Sequence, residues 1–370
     1  MTSIETTAGE VRRCGRCIMP ETYPGVVLDA EGMCNLCRVF ETKWGSWVAS
    51  TERQAQSESK LQRIFQSAKR KHRPYDALVG ISGGKDSSYS LYLCHKVYGL
   101  KVLAFTKDGG FLAEDAKKRI EKLTKMLGVP HLYCHDPLAP ELSAIFMRKT
   151  GNACAPCELS TFNLTAMVAR EYDIPIVILG TSSRTEAGAP KFLNPWDPWY
   201  FGNVMKGECY KERLSCSCYG RNYVLREGLA RILGRQRILL LPDYVEWDEG
   251  KISQLFKREF DLDFNGEHSD CWASPVARYL YRQKLGGNDP GVAKYSLLVR
   301  SEKMTRNEAL ERLNENGDNL PPPNLNRFLE VIGMTRQEFN TACEQSPEAY
   351  TGTVSHFFNT LRRYIRRQAI

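Results

Sequence analysis

The chain has no long hydrophobic run. Its longest, IPIVILG at residues 174–180, is seven residues, whereas a helix crossing a bilayer needs about 20. A helical membrane span is therefore excluded. Met1 to Gly9 carries one charge, on Glu5, and has neither a basic region nor an apolar stretch. No secretory leader is read there, and a cytoplasmic location is expected. There is no internal repeat and no long low-complexity segment, so solenoid and linker-type architectures are set aside. The phosphate loop of the form G-x-x-x-x-G-K-[ST] is missing too.

Against these absences stand thirteen cysteines. In a chain without an export signal they argue against a disulfide framework and for metal sites. The formal charge of +8 suits polyanionic ligands such as nucleotides, sugar nucleotides or RNA. Part of it lies in local runs, KRKHR at 69–73 and RRYIRR at 362–367, which read as solvated faces.

Four stretches differ in character. Residues 10–45 are rich in Cys and Gly and poor in apolar periodicity, a small module unable to build a core alone. Residues 46–74 read as a polar helical connector. Residues 75–275 alternate short apolar strands with helices, and 276–370 turn helical. The strands are DALVGI, KVLAFT, HLYC, IPIVILG and RILLLP. The helices between them include SSYSLYLCHKVYG, EDAKKRIEKLTKMLG and ELSTFNLTAMVAREY. Such alternation predicts an α/β fold, a doubly wound and mostly parallel sheet covered on both faces. Thr305 with Glu308, and Thr335 with Glu338, each predict a capping box in the helical tail.

Cys14-x2-Cys17 and Cys34-x2-Cys37 fit a structural zinc site: four thiolates form the tetrahedral set zinc prefers, with no position left open. Cys154 and Cys157 form another such pair at a helix start. Cys271, in HSDCWASP, is the candidate third thiolate of a second metal site, converging on them beside the cleft. Cys94, Cys134 and Cys343 read as core residues, and Cys209, Cys216 and Cys218 have no assigned role.

The strand YDALVGI empties into SGGKDSS at 82–88. A loop between a buried strand and a helix start presents unpaired N–H groups and a positive dipole end. Gly83 and Gly84 allow the backbone to curl round an anion. Ser82, Ser87 and Ser88 offer hydroxyl donors, Lys85 a point charge, and Asp86 a carboxylate for a magnesium ion bridging to phosphates. In a doubly wound sheet the ligand sits at the carboxyl ends of the strands. This brings Gly180 and Thr181 to the same cleft. Arg184 and Glu186 either face it or form a loop salt bridge. Trp196 and Trp199, in FLNPWDPWYFG, either stack on a sugar or base or form a patch against the tail.

The run Ser82-Gly83-Gly84-Lys85-Asp86-Ser87 resembles the SGG-x-D-S signature of the PP-loop ATP pyrophosphatases. The stretch RRCGRCIMPETYPGVVLDAEGMCNLC resembles the amino-terminal segment of the N-acetyl sugar amidotransferases of bacterial surface-glycan pathways. MTRNEALERL and FLEVIGMTRQEF resemble that family's carboxyl-terminal region. The resemblance runs from about residue 12 to residue 340. It implies a PP-loop (HUP-like) fold that uses ATP and magnesium, with a zinc-ribbon-like module at the amino terminus. Lys85 and Asp86 would be catalytic. The implied reaction is adenylation of the amide oxygen of an N-acetyl sugar nucleotide. Ammonia from a separate glutaminase partner then displaces AMP. The alternative is a thiolase acting on tRNA or a small molecule. Some PP-loop thiolases hold a 4Fe-4S cluster on a C-x2-C pair and one distant cysteine, an arrangement that Cys154, Cys157 and Cys271 resemble.

Overall fold

The computed structural model describes residues 11–69, 73–182, 184, 198–208, 219, 236–264, 269–315 and 320–352. Its centre is a five-stranded sheet of β1 (Ala77–Gly80), β2 (Val102–Asp108), β3 (His131–His135), β4 (Ile176–Leu179) and β5 (Arg237–Leu240). Every neighbouring pair is parallel, and the order is β3-β2-β1-β4-β5. The strands lie where the apolar runs predict them.

Successive residues of β1 serve opposite layers, as the two-residue period of a strand requires. Ala77 and Val79 face a cluster with Leu91, Ile120, Leu123 and Phe256. Leu78 faces the other, with Leu103, Phe105, Val168 and Val177. The first layer is built by α2 (Thr51–Lys69), α3 (Lys85–Tyr92), α4 (Glu114–Leu127) and a later helix, Glu249–Phe260. The second layer is built by α6 (Ala155–Glu171). A sheet buried on both faces explains strands that are apolar throughout. Helix α4 ends at Gly128, whose φ of 65° closes it in the left-handed region.

Helix α5 (Ala139–Thr150) is not singled out by periodicity. Its residues from Leu142 to Met147 are all buried, because the sheet side and the carboxyl-terminal helices enclose it together. Beyond α7 (Pro198–Val204), the chain continues with α8 (Glu249–Phe260), α9 (Ser274–Lys284), α10 (Gly291–Arg300), α11 (Arg306–Glu315), α12 (Leu325–Ile332) and α13 (Arg336–Cys343). Both capping boxes form: Thr335 Oγ1 accepts from the Glu338 amide at 3.2 Å, and Thr305 Oγ1 does the same for Glu308 at 3.2 Å.

The amino-terminal module, including α1 (Asn35–Phe40), does not stand alone. Cys14, Cys17, Ile18, Met19, Tyr23, Cys34 and Cys37 share a cluster with Leu285, Val292, Tyr295, Leu298 and Ala309. The core that the module lacks is supplied by α10 and its neighbours. Among the described residues, no helix is long and apolar enough to cross a membrane.

Candidate functional site

Strand order reverses between β1, which leads to β2, and β4, which lies on its other side. In open α/β sheets this switch point, at the carboxyl ends, is where ligands bind. The SGGKDSS loop leaves β1 there. Gly83 has φ of 77°, and a Cβ on it would sit 2.5 Å from the Ala116 carbonyl oxygen of α4. Only glycine allows that turn and that approach. On the opposite side, a Cβ on Gly180 would meet the backbone of Asp86 at 2.9 Å. The loop is thus wedged between the start of α4 and the end of β4.

The serines close the loop upon itself. Ser87 Oγ donates to the Gly84 carbonyl at 3.1 Å and accepts from the Ser82 amide at 3.1 Å. The Ser82 and Ser87 hydroxyls lie 3.1 Å apart. Ser88 is buried beneath them. In this state the hydroxyls fix loop shape, whereas Lys85 and Asp86 remain half-buried at the opening. Thr181 is exposed beside them.

Lys85 and Asp86 are engaged by residues that sequence reasoning did not single out. Lys85 Nζ bonds Asp86 Oδ1 at 2.8 Å and pairs with Glu249 Oε1 at 3.2 Å. Trp247 Nε1 donates to Asp86 Oδ1 at 2.6 Å. Lys294 of α10 reaches the same Glu249 oxygen at 3.1 Å. Burial opposes the charge of Glu249, but Lys294 and Lys85 together hold its carboxyl below the usual range. On the far side, Arg119 Nε donates to the Gly83 carbonyl at 2.7 Å, and Asp270 Oδ2 stands 3.7 Å from the Cβ position of Gly84. These residues lie far from 82–88 in sequence and have no distinctive spacing, so no local pattern marks them.

Arg184 does not face the cleft. It is wholly buried, stacked 3.8 Å from the centre of the Trp47 ring, and donates to the Val245 carbonyl at 3.2 Å and to the Pro242 carbonyl. Burial pulls its pKa down to about 10. Packing of the connector against the β5 end takes up this side chain, so it is a corrected expectation. Trp199 is half-buried on α7, beside Tyr200, which packs on Phe146. Glu186, Trp196, Cys209, Cys216 and Cys218 lie outside the described residues.

Cys154, Cys157 and Cys271 lie on the carboxyl-end side of the sheet. Cys154 caps α6. Cys157 Sγ lies 3.2 Å from Lys107 Nζ, at the end of β2. Cys271 pairs through its backbone with Leu112, in the segment that follows β2. Burial pushes Cys271 up to about 12, with the charge of Cys157 adding to it. Burial also raises Cys154, with Glu158, Cys271 and Cys157 contributing. Yet among the described residues only one group gathers to the spacing of a single metal ion, and it is not this one. Helix α6 and the 269–272 segment bring these three thiols into electrostatic range of one another.

The group that does close is Cys14, Cys17, Cys34 and Cys37, all buried, with sulfurs within 4.8 Å of one another. Cys14 and Cys37 sulfurs are 3.7 Å apart, and Cys17 and Cys34 sulfurs 3.8 Å. A tetrahedron of Zn–S bonds of about 2.3 Å has edges of about 3.8 Å, so the four thiols fit zinc. Arg300 Nε lies 3.2 Å from Cys37 Sγ, and its Nη2 lies 3.3 Å from Cys17 Sγ. Burial disfavours the guanidinium charge, but Cys17 and Cys37 more than offset this and raise its pKa. The Cys34 amide donates to Cys14 Sγ at 3.2 Å. Such donors around thiolates orient and stabilise a metal set.

Fold and loop together define a doubly wound α/β chain with the SGGKDSS loop at its switch point. Residues 270–362 match the family described as LPS biosynthesis protein WbpG-like, C-terminal domain. No curated protein matches the sequence. Among solved structures, NMN synthetase from Francisella tularensis is 15% identical, with a TM-score of 0.34, covering 73% of this chain and 98% of that one. The U34-tRNA thiolase from Methanococcus maripaludis with its 4Fe-4S cluster is also 15% identical, with a TM-score of 0.34, covering 80% and 88%.

Proposed function

We propose that the chain uses ATP to adenylate the amide oxygen of an N-acetyl sugar nucleotide, and that ammonia then displaces AMP to leave an acetamidino sugar. The observation that carries this reading is the SGGKDSS loop at the sheet's switch point, with Lys85 and Asp86 at its opening. The WbpG-like carboxyl-terminal domain supports a surface-glycan substrate. The amino-terminal cysteine module would be a zinc site, and a separate glutaminase would supply the ammonia.

The chemistry suits such a site. An amide oxygen is a poor leaving group. Its lone pair attacks the α-phosphorus, and the bond to the β-phosphate oxygen breaks with its electrons on pyrophosphate. Ammonia adds to the resulting imidate carbon and loses a proton, and the C–O bond then breaks with its electrons on AMP. The protein's part is positioning and charge neutralisation. Lys85 offsets the charge growing on departing pyrophosphate, and Gly83 and Gly84 let the backbone approach the phosphates. Asp86 would hold magnesium, which supplies further charge neutralisation there.

Incubation with magnesium, ATP, an ammonium salt and a panel of N-acetyl sugar nucleotides should release AMP and pyrophosphate in step with an acetamidino product seen by mass spectrometry. Lys85→Ala and Asp86→Asn should each lower that release roughly tenfold or more, about 1.4 kcal/mol at the transition state. Formation of ADP and phosphate would sink the mechanism.

A second reading has one observation in its favour. Cys154, Cys157 and Cys271 stand in mutual electrostatic range, and an iron–sulfur cubane spreads its thiolates more widely than one ion does. Under that reading the nucleophile is sulfur, and tRNA or a small molecule is the acceptor. Anaerobically purified protein that is colourless and free of iron would leave the nitrogen chemistry standing alone.

A further inference from the structure

Four charged side chains meet at the mouth of the loop. Lys85 and Lys294 both reach Oε1 of Glu249, at 3.2 and 3.1 Å, and Lys85 also bonds Asp86 at 2.8 Å. They come from three different parts of the chain. Lys85 opens α3, Glu249 is the first residue of α8, and Lys294 lies in α10 of the WbpG-like domain. The two lysine side chains are each only 15% exposed, so these pairs are shielded from full solvent screening. Glu249 also sits at a helix amino terminus, where the macrodipole favours a carboxylate.

Sharing one oxygen between two ammonium groups has a consequence. If Lys85 moves to a bound polyphosphate, Glu249 keeps Lys294 and the helix end. The Glu249 carboxylate is not left without a counter-charge. Asp86, relieved of Lys85, keeps the Trp247 N–H and can bind a cation that arrives with the phosphates. Every charge has a partner before and after.

We infer that Glu249 is a holding position for Lys85, with Lys294 setting the strength of the hold, so that the carboxyl-terminal domain tunes how readily the loop accepts a nucleoside triphosphate. The inference rests on the ATP reading of the loop. Glu249 competes with the phosphates for Lys85. Lys294 weakens the competitor, because it draws on the same oxygen and repels Lys85 from it. Substitutions at the two ends of one ion pair must then act in opposite directions. A merely structural pair would not behave so, since losing either end would damage the site in the same sense.

The test is calorimetric titration of the full chain with magnesium and the ATP analogue carrying a methylene between the α- and β-phosphorus. That analogue cannot release pyrophosphate, so the readout is binding alone. Glu249→Gln should bind it more tightly, by about two- to fivefold, the range for a partly shielded ion pair. Lys294→Met should bind it more weakly by a similar factor. In a Lys85→Ala background, Glu249→Gln should change nothing. Thermal melts of each variant check that the fold is kept. Weaker or unchanged binding by Glu249→Gln, stronger or unchanged binding by Lys294→Met, or a persistent Glu249→Gln effect without Lys85 would each overturn the inference. If those results came with normal binding by the parent chain, the adenylation reading would stand. A folded parent chain that did not bind the analogue at all would remove both.

Discussion

Gly180 has no room for a side chain. A Cβ there would meet the Asp86 carbonyl carbon and oxygen at 2.9 Å and the Ser87 amide nitrogen at 3.0 Å, all backbone atoms. The start of α3 would have to shift for it. Gly180→Ala is therefore expected to cost about 1–3 kcal/mol, the usual scale of overpacking, and to weaken binding of the ATP analogue. Equal melting temperature and affinity in the variant would count against this wedge. Legibility also divides at the scale of residues. SGGKDSS is contiguous and carries its own strand–loop–helix context, so its place could be read directly. Glu249, Trp247 and Lys294 are single residues that reach the loop from 161 to more than 200 positions away, as with Trp247 on Asp86. No period or spacing joins them to it. Arg184 shows the converse. A charge in a loop after a strand reads as solvent- or ligand-facing, yet here an aromatic ring and two carbonyls bury it.

Helix α10 works on two fronts. Val292, Tyr295 and Leu298 pack under the cysteine module, and Arg300 sets its guanidinium against three of the four sulfurs, at 3.2, 3.3 and 3.7 Å. Arg300→Met keeps the apolar stem and removes the charge. It is expected to leave the fold in place and to speed loss of zinc to a chelator about 10- to 100-fold, the range for partners of metal ligands. A zinc-release rate equal to that of the parent chain would refute it. The strands were legible as elements because burial on both faces leaves short runs of apolar residues. Helix α4 was legible from its amphipathic period and its closing Gly128, and α6 as the helix between two strands. Helix α5 was not, because enclosure from several sides erases the polar face that gives a helix its period.

At the scale of the molecule, the alternation of strands and helices sufficed for the doubly wound sheet and for the end of it at which the SGGKDSS loop lies. The mutual support of the two chain regions could not be read in the same way. The cysteine module reads as separate, yet it shares one core with residues 285–309. Removing its metal should therefore destabilise more than residues 10–45. With a chelator, hydrogen exchange is expected to rise in α10 and α11 as well as in the module, while β1, β2 and β4 stay protected. Exchange confined to the module would show that the two regions are independent.

That shared core has a bearing on how the protein is made. The four cysteines leave the ribosome well before the helix that completes their surroundings, with Cys37 and Arg300 separated by 263 positions. A zinc held by four thiolates would carry two net negative charges, and until that helix is made the guanidinium beside it does not yet exist. Amino-terminal segments fold early during synthesis, whereas contacts between distant positions form slowly. On the zinc reading, the nascent module must thus hold its metal, or wait for it, with its apolar face uncovered until α10 is made. Growth conditions poor in zinc would then lower the yield of folded protein during synthesis far more than they would harm chains already assembled.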